Sequence, residues 1–195
     1  MDAERLDKQL GFALEIDKEK NILRQTYLSG NGRRENDAEH AWHMAVMSYL
    51  LKEYSNEKID IARVMIMCLI HDIVEIDAGD TFAYDDKGKE SQREREEKAA
   101  DRIFGLLPDD KRDELRAIFE EFEAQETPEA KFARAMDNIQ PLMLNDSNDG
   151  SSWKEHNVRA EQVIKRQERT RPGSEVLYQK SMELVKKNKE QGKLL

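Results

Sequence analysis

A single cysteine, Cys68, leaves no partner for an intrachain disulfide, and its place in the apolar run VMIMCLI suits a space-filling role in a core. Nine glycines and four prolines in 195 residues are few, which disfavours a sheet protein with many tight turns. No run approaches the roughly 18 apolar residues of a membrane span. The N-terminus, MDAERLDKQLGFALEID, is charged from its second residue, so the expected location is cytoplasmic, with no membrane partner. Basic charge is in deficit, with 32 Lys and Arg against 41 Asp and Glu and a net charge of −9. Such a balance repels phosphates and argues against a duplex nucleic-acid partner, although a local cation can still capture a small anion.

Charged residues make up 37% of the chain and apolar ones 38%, the balance of helices with solvated outer faces. The length suffices for one sizeable core. The expected fold is all-α: a single domain over residues 1–195, folded as a bundle of about seven or eight helices with short connections and no convincing strand.

Residues 2–17 place Leu6, Leu10, Ala13 and Leu14 on one face, and helix is expected to continue over 18–25 before SGNGRREN breaks it. Asn36 or Asp37 can cap a helix over 38–54, with an apolar stripe of Ala41, Trp42, Ala45, Val46, Tyr49 and Leu50, in which Trp42 reads as core filler. Asp60 can cap the next, over 61–76, apolar on nearly every side and therefore expected to be the central buried helix, stopped by Ala78-Gly79. AYDDKGKES reads as a polar loop. Two helices follow, one ending before Pro108 and one over about 110–125. Thr127, Pro128 and Glu129 are a cap, a first-turn proline and a dipole-matched acid for a helix that Pro141 should end or kink. Ser152 with Glu155 is a capping-box pattern for a helix across 153–169, and Ser174 can start a last one over about 174–190.

The chemistry concentrates in IHDIVEIDAGD, residues 70–80. An imidazole and a carboxylate at the end of a buried helix cost several kcal/mol, about 3 to 5, if left unpaired, so His71 and Asp72 need a compensating partner. A divalent metal is one such partner. Glu75 lies four residues after His71 and three after Asp72, which puts its carboxylate on the same helical face, within reach of a metal-bound water. Further donors must come from elsewhere, and candidates are few: His40 at a helix start and Asp137 in the otherwise apolar FARAMDNIQPLML. His43 reads as a structural neighbour and His156 as a packing histidine.

The ordered set of Glu39-His40, His71-Asp72 and Asp137 resembles the HD-domain metal-dependent phosphohydrolases. More narrowly, ENDAEHAWHMAVM, LIHDIVEIDAGD and AKFARAMDNIQPLMLN resemble the five-prime deoxynucleotidase branch, over residues 20–165. The resemblance implies one divalent ion, among Mn, Co, Mg, Fe and Zn, held by His40, His71, Asp72 and Asp137. It implies Glu75 and Asp80 as catalytic and substrate-contacting acids and Arg24 as a phosphate-binding arginine. Gln25 stands where that branch has a base-contacting tryptophan. The implied substrate is a nucleoside 5'-monophosphate, of the deoxyribo form, and the implied assembly a homodimer, for which residues 175–188 have an apolar stripe to spare. Two other readings stay open: hydrolysis of another phosphoester, a phosphodiester or guanosine tetraphosphate, and a non-catalytic nucleotide-binding module.

Overall fold

The structure is a computed structural model and describes residues 3–30 and 32–195. Asp2, in the expected first helix, and Asn31, in the expected break, lie outside the described residues. Helix α1 (Ala3–Glu15) runs into a 3-10 turn (Ile16–Asn21), and a hairpin of β1 (Leu23–Tyr27) and β2 (Arg34–Asn36) follows. Then come α2 (Asp37–Leu51), α3 (Ile61–Ile70), α4 (Glu75–Ala78), α5 (Asp86–Lys89), α6 (Gln92–Phe104) and α7 (Asp109–Ala124). The chain closes with α8 (Pro128–Ser147), α9 (Ser151–Glu155), α10 (Ala160–Gln167) and α11 (Glu175–Glu190). The all-α expectation holds. None of the helices among the described residues is long and apolar enough to cross a membrane.

Four expected starts are capped by the residues the sequence offers. Asn36 accepts from the Glu39 amide while Glu39 accepts from the Asn36 amide, a complete capping box. Asp60, Thr127 and Ser174 accept from amides in the first turns of α3, α8 and α11.

The hairpin corrects the expectation of no strand, and with it the helix expected over 18–25. β1 and β2 pair antiparallel, Leu23 opposite Asn36 and Tyr27 opposite Arg34, and Gly30 in the turn takes a left-handed φ of 71° that glycine adopts without strain. The segment expected as one helix over 61–76 stops at Ile70, and His71 to Val74 form a turn before α4. The polar loop AYDDKGKES contains the single turn of α5. The helix expected across 153–169 is two pieces, because Asn157 takes φ 51° between α9 and α10; Gly150, not Ser152, precedes the first.

The central helix is α8, not α3. It packs on α2, α3, α7 and α11 and buries twelve of its twenty residues, Phe132, Met136 and Ile139 among them. It runs on through Pro141, whose missing N–H leaves the Asp137 carbonyl without its helical donor. α3 buries Val64, Met67 and Cys68 but turns Ile66 and Leu69 outward. Two faces expected to pack inward point to solvent instead: Leu6, Leu10 and Leu14 on α1, where Phe12 is the buried residue, and Trp42, Val46, Tyr49 and Leu50 on α2. Trp42 is 64% exposed and so is not core filler. α2 packs its opposite face, Met44, Ala45 and Met47, against Val64, Met67 and Met136.

Candidate metal centre

His40 sits in the first turn of α2 and His71 just past the end of α3, and these helices pack on each other, so the two rings meet with centroids 5.5 Å apart. α8 brings Asp137 to them from a third side. His40 Nε2 lies 3.3 Å from Asp137 Oδ1 and 3.9 Å from Asp72 Oδ2; His71 Nε2 lies 3.0 Å from Asp72 Oδ1 and 3.9 Å from Asp137 Oδ1. Ligands bonded at about 2.1 Å in an octahedron stand about 3.0 Å apart when adjacent and about 4.2 Å when opposite, and the four separations fall in that span. His40, His71 and Asp72 each offer one ligand atom within 4.8 Å of the other two, Asp137 Oδ1 approaches both rings, and all four residues are buried.

The ring nitrogens show what the quartet faces. His71 Nδ1 lies 3.0 Å from the Cys68 carbonyl and His40 Nδ1 3.0 Å from Gln140 Oε1, so each ring donates outward and turns Nε2 to the carboxylates. His71 Nε2 is buried and has no hydrogen-bond partner among the described residues, despite its closeness to Asp72. A lone pair there is repelled by the carboxylate, and either a proton on Nε2 or a cation between the two groups relieves the repulsion. Mixed nitrogen and oxygen donors of this kind suit a divalent ion.

The electrostatics of the two rings differ. Burial, with the Arg24 charge, pushes His40 down to about 4, leaving it neutral and able to ligate near neutral pH. His71 is raised, the charge of Asp72 and the contact with it overcoming burial. Asp137 is held well below the carboxylate range, against burial, by Arg166, His40 and Arg134. Arg134 and Arg166 reach its Oδ2 at 3.0 and 3.4 Å, which leaves Oδ1 for the histidines.

A second acidic group adjoins the first. Asp37, Glu75 and Asp80 each bring a carboxylate oxygen within 4.8 Å of the other two. Burial and the charges of Asp72, Asp37 and Asp80 raise Glu75 well above its ordinary value, and Asp37 rises to about 7 for the same reasons, against the pull of Arg24. Arg24, carried by β1, bridges the groups: its Nη1 is 2.6 Å from Asp72 Oδ2 and 3.1 Å from Asp37 Oδ1, while Nε has no hydrogen-bond partner among the described residues. Arg24, Glu75, Asp80, Asp137 and Arg166 line one cleft, whose far wall carries Phe82, Tyr84 and Trp153.

The HD domain profile matches residues 16–177, most of the chain. The chain belongs to the HD-domain family. A crystal structure of a predicted metal-dependent phosphohydrolase from Magnetospirillum magnetotacticum shares this HD domain at 50% identity and TM-score 0.94, covering 98% of this chain and 96% of that one. The human 5'-deoxynucleotidase HDDC2 is 33% identical over 69% of this chain and 65% of its own length, and the Danio rerio protein of that name is 30% identical over 71% and 68%. The chain thus spans about two thirds of the length of these curated relatives.

Several buried neighbours of the HD site escape a reading of the sequence. Asp37 looks like a cap, but Asn36 is the cap and Asp37 turns inward. Glu19, Glu35 and Gln140 look like ordinary polar residues and are buried. Arg134 alone had a legible signal, three residues before Asp137 on the same helix. Arg33 and Arg34 pair with Glu39 and Glu155. His43 and His156 contact Gln140 and the Ser152 carbonyl, away from the quartet.

Proposed function

We propose that this chain is a metal-dependent phosphohydrolase that removes phosphate from nucleoside 5'-monophosphates, deoxyribonucleotides foremost. The observation that carries the reading is the convergence of His40 Nε2 and His71 Nε2 on the carboxylates of Asp72 and Asp137, beside a cleft lined by arginines, a protonatable carboxylate and aromatic rings. The names of the curated relatives point the same way, and the substrate class rests on them.

His40, His71, Asp72 and Asp137 hold one divalent ion, Mn or Co foremost among Mn, Co, Mg, Fe and Zn. When bound, that ion supplies Lewis acidity, acidifying water and neutralising phosphate charge. Glu75 takes the proton of the attacking water; its buried, acid-rich surroundings raise it above its ordinary value, which makes the ionised carboxylate a stronger proton acceptor. Asp80 hydrogen-bonds the sugar or the departing five-prime oxygen. Arg24 supplies positive charge to the phosphate while Nη1 keeps Asp72 in place. Gln25, where the related branch has tryptophan, accepts from Arg34, so its amide is directed to the hairpin.

The chain acts as a single domain and as a homodimer. The apolar stripe of α11 is spent inside the fold, since Leu177, Tyr178 and Val185 are buried. The face that favours a second copy is instead Trp42, Val46, Tyr49 and Leu50 of α2. A two-metal phosphodiesterase is disfavoured because it needs further histidines, and His43 and His156 have other partners.

The test is phosphate release from a panel of 5'-deoxyribonucleotides and ribonucleotides by metal-stripped protein, with Mn, Co, Mg or no metal restored. Metal-dependent release from deoxyribonucleoside monophosphates is expected. No release with any metal, from folded protein that binds the ion, would favour the non-catalytic module.

A further inference from the structure

Gln140 is fully buried on α8, three residues beyond Asp137, and its amide meets three groups. Oε1 lies 3.0 Å from His40 Nδ1, while Nε2 lies 2.6 Å from Glu35 Oε1 and 3.1 Å from His43 Nδ1. We propose that Gln140 is a positioning residue that fixes the tautomer of His40, keeping the ring proton on Nδ1 so that Nε2 stays a lone pair facing Asp137 and Asp72. The proposal rests on the reading of His40 as a metal ligand.

The argument is one of donors and acceptors. A carboxamide has an acceptor-only end and a donor-only end. Glu35 Oε1 accepts, so the NH2 group must face it; the reversed amide would press two acceptor oxygens together at 2.6 Å. His43 Nδ1 takes the second hydrogen of the same NH2 group. With the nitrogen end committed twice, Oε1 faces His40 and demands a hydrogen. A neutral imidazole has one N–H, so it sits on Nδ1 and Nε2 is bare.

His71 reaches the same state by a different route, because its Nδ1 faces the Cys68 backbone carbonyl, which no side-chain substitution removes. His40 depends on a side chain. Glu35 is held in turn by Arg24, whose Nε is 4.0 Å from its Oε2. The chain of contacts therefore runs from His40 through Gln140 and Glu35 to the arginine of the cleft.

Two measurements test this. Long-range proton–nitrogen correlation on metal-free wild-type protein should show His40 protonated on Nδ1; an Nε2–H tautomer would overturn the proposal. Cobalt(II) titration, followed by its visible absorption, should show the dissociation constant of Gln140→Met weakened roughly 10- to 100-fold, the range for an outer partner of a ligating histidine. The swap of Glu35→Gln with Gln140→Glu keeps an acceptor toward His40 and a donor–acceptor pair behind it, and should restore affinity to within about threefold of wild type. Unchanged affinity in Gln140→Met, or a natively folded swap that binds no better than Gln140→Met, would overturn it. Failure of wild-type protein to bind any cobalt would overturn the metal reading instead, and the tautomer measurement would still decide the role of Gln140.

Discussion

Arg24 Nη1 lies 2.6 Å from Asp72 Oδ2 and 3.1 Å from Asp37 Oδ1, so one guanidinium compensates two buried carboxylates, one at the start of α2 and one in the turn after α3. Removing one partner of a buried pair leaves an uncompensated charge and costs about 3 to 5 kcal/mol. Arg24→Met should therefore lower the melting temperature of metal-stripped protein by about 6 to 20 °C for a chain of this size. A divalent ion brings the missing positive charge, so adding Mn should raise the melting temperature more in the variant than in wild type. Scanning fluorimetry with chelator and with Mn checks both parts. Equal melting temperatures without metal would show that Arg24 does not carry this compensation.

Glu75 has the most acid-crowded setting in the cleft, and its role as proton acceptor predicts a separation of functions. Glu75→Gln should lower kcat by roughly 10²- to 10⁴-fold, the usual contribution of general acid–base catalysis. It should leave cobalt binding within a few-fold of wild type, because the proposed ligands are His40, His71, Asp72 and Asp137. Turnover and metal titration on the same preparation decide it; joint loss of both would make Glu75 a ligand.

The parts of this fold that were legible in the sequence are those governed by local chemistry. Asn36, Asp60, Thr127 and Ser174 cap helices through bonds to amides two or three residues on, a range that sequence spacing reports directly. The expectation for His40, His71, Asp72 and Asp137 rests on ordered motifs that resemble the HD-domain family, and the fold brings these four residues near one another. What stayed hidden depends on distant partners. Gln140 acquires its meaning from Glu35, 105 residues away, and Arg166 from Asp137, 29 away. The hairpin needed β1 to pair with β2 across a turn, although Asn31-Gly32 is itself a hairpin signal. The leucines of α1 and the stripe of α2 show the limit of periodicity, which identifies an apolar face but not whether anything covers it.

Glu19 supplies a pH dependence. It is buried in the 3-10 turn, its Oε1 has no hydrogen-bond partner among the described residues, and burial with the Asp72 charge raises it to about 8. The folded state therefore holds this proton more tightly than the unfolded chain, where the group has its ordinary value near 4.5. Its contribution is fully present below that lower value and is lost as pH rises toward 8, by a few kcal/mol at most, on the order of 1.4 per pH unit. Glu19→Gln abolishes the titration, so in chelator the stability of the variant should overtake that of wild type progressively between pH 5 and 8. Denaturant melts at four pH values measure the difference. A difference that stays constant across that window would remove Glu19 as its source.

The outward face of α2 bears on assembly. Trp42 and Leu50 are 64% and 65% exposed, and Val46 and Tyr49 lie between them on the same side of the helix. Contiguous exposed apolar groups of this kind mark interaction surfaces. Two copies of a chain with net charge −9 repel at long range, so self-association needs such a face to overcome the charge. Wild-type protein in moderate salt should sediment at twice its 22.8 kDa mass. Trp42→Glu with Leu50→Lys should sediment as a monomer, because losing a central aromatic anchor costs about 2 kcal/mol or more, roughly 30-fold in affinity. Both positions are exposed, so thermal stability measured at a concentration where wild type is monomeric should change by no more than about 0.5 kcal/mol. A double variant that still sediments as a dimer would place the interface on another face, with the outward leucines of α1 next to be substituted.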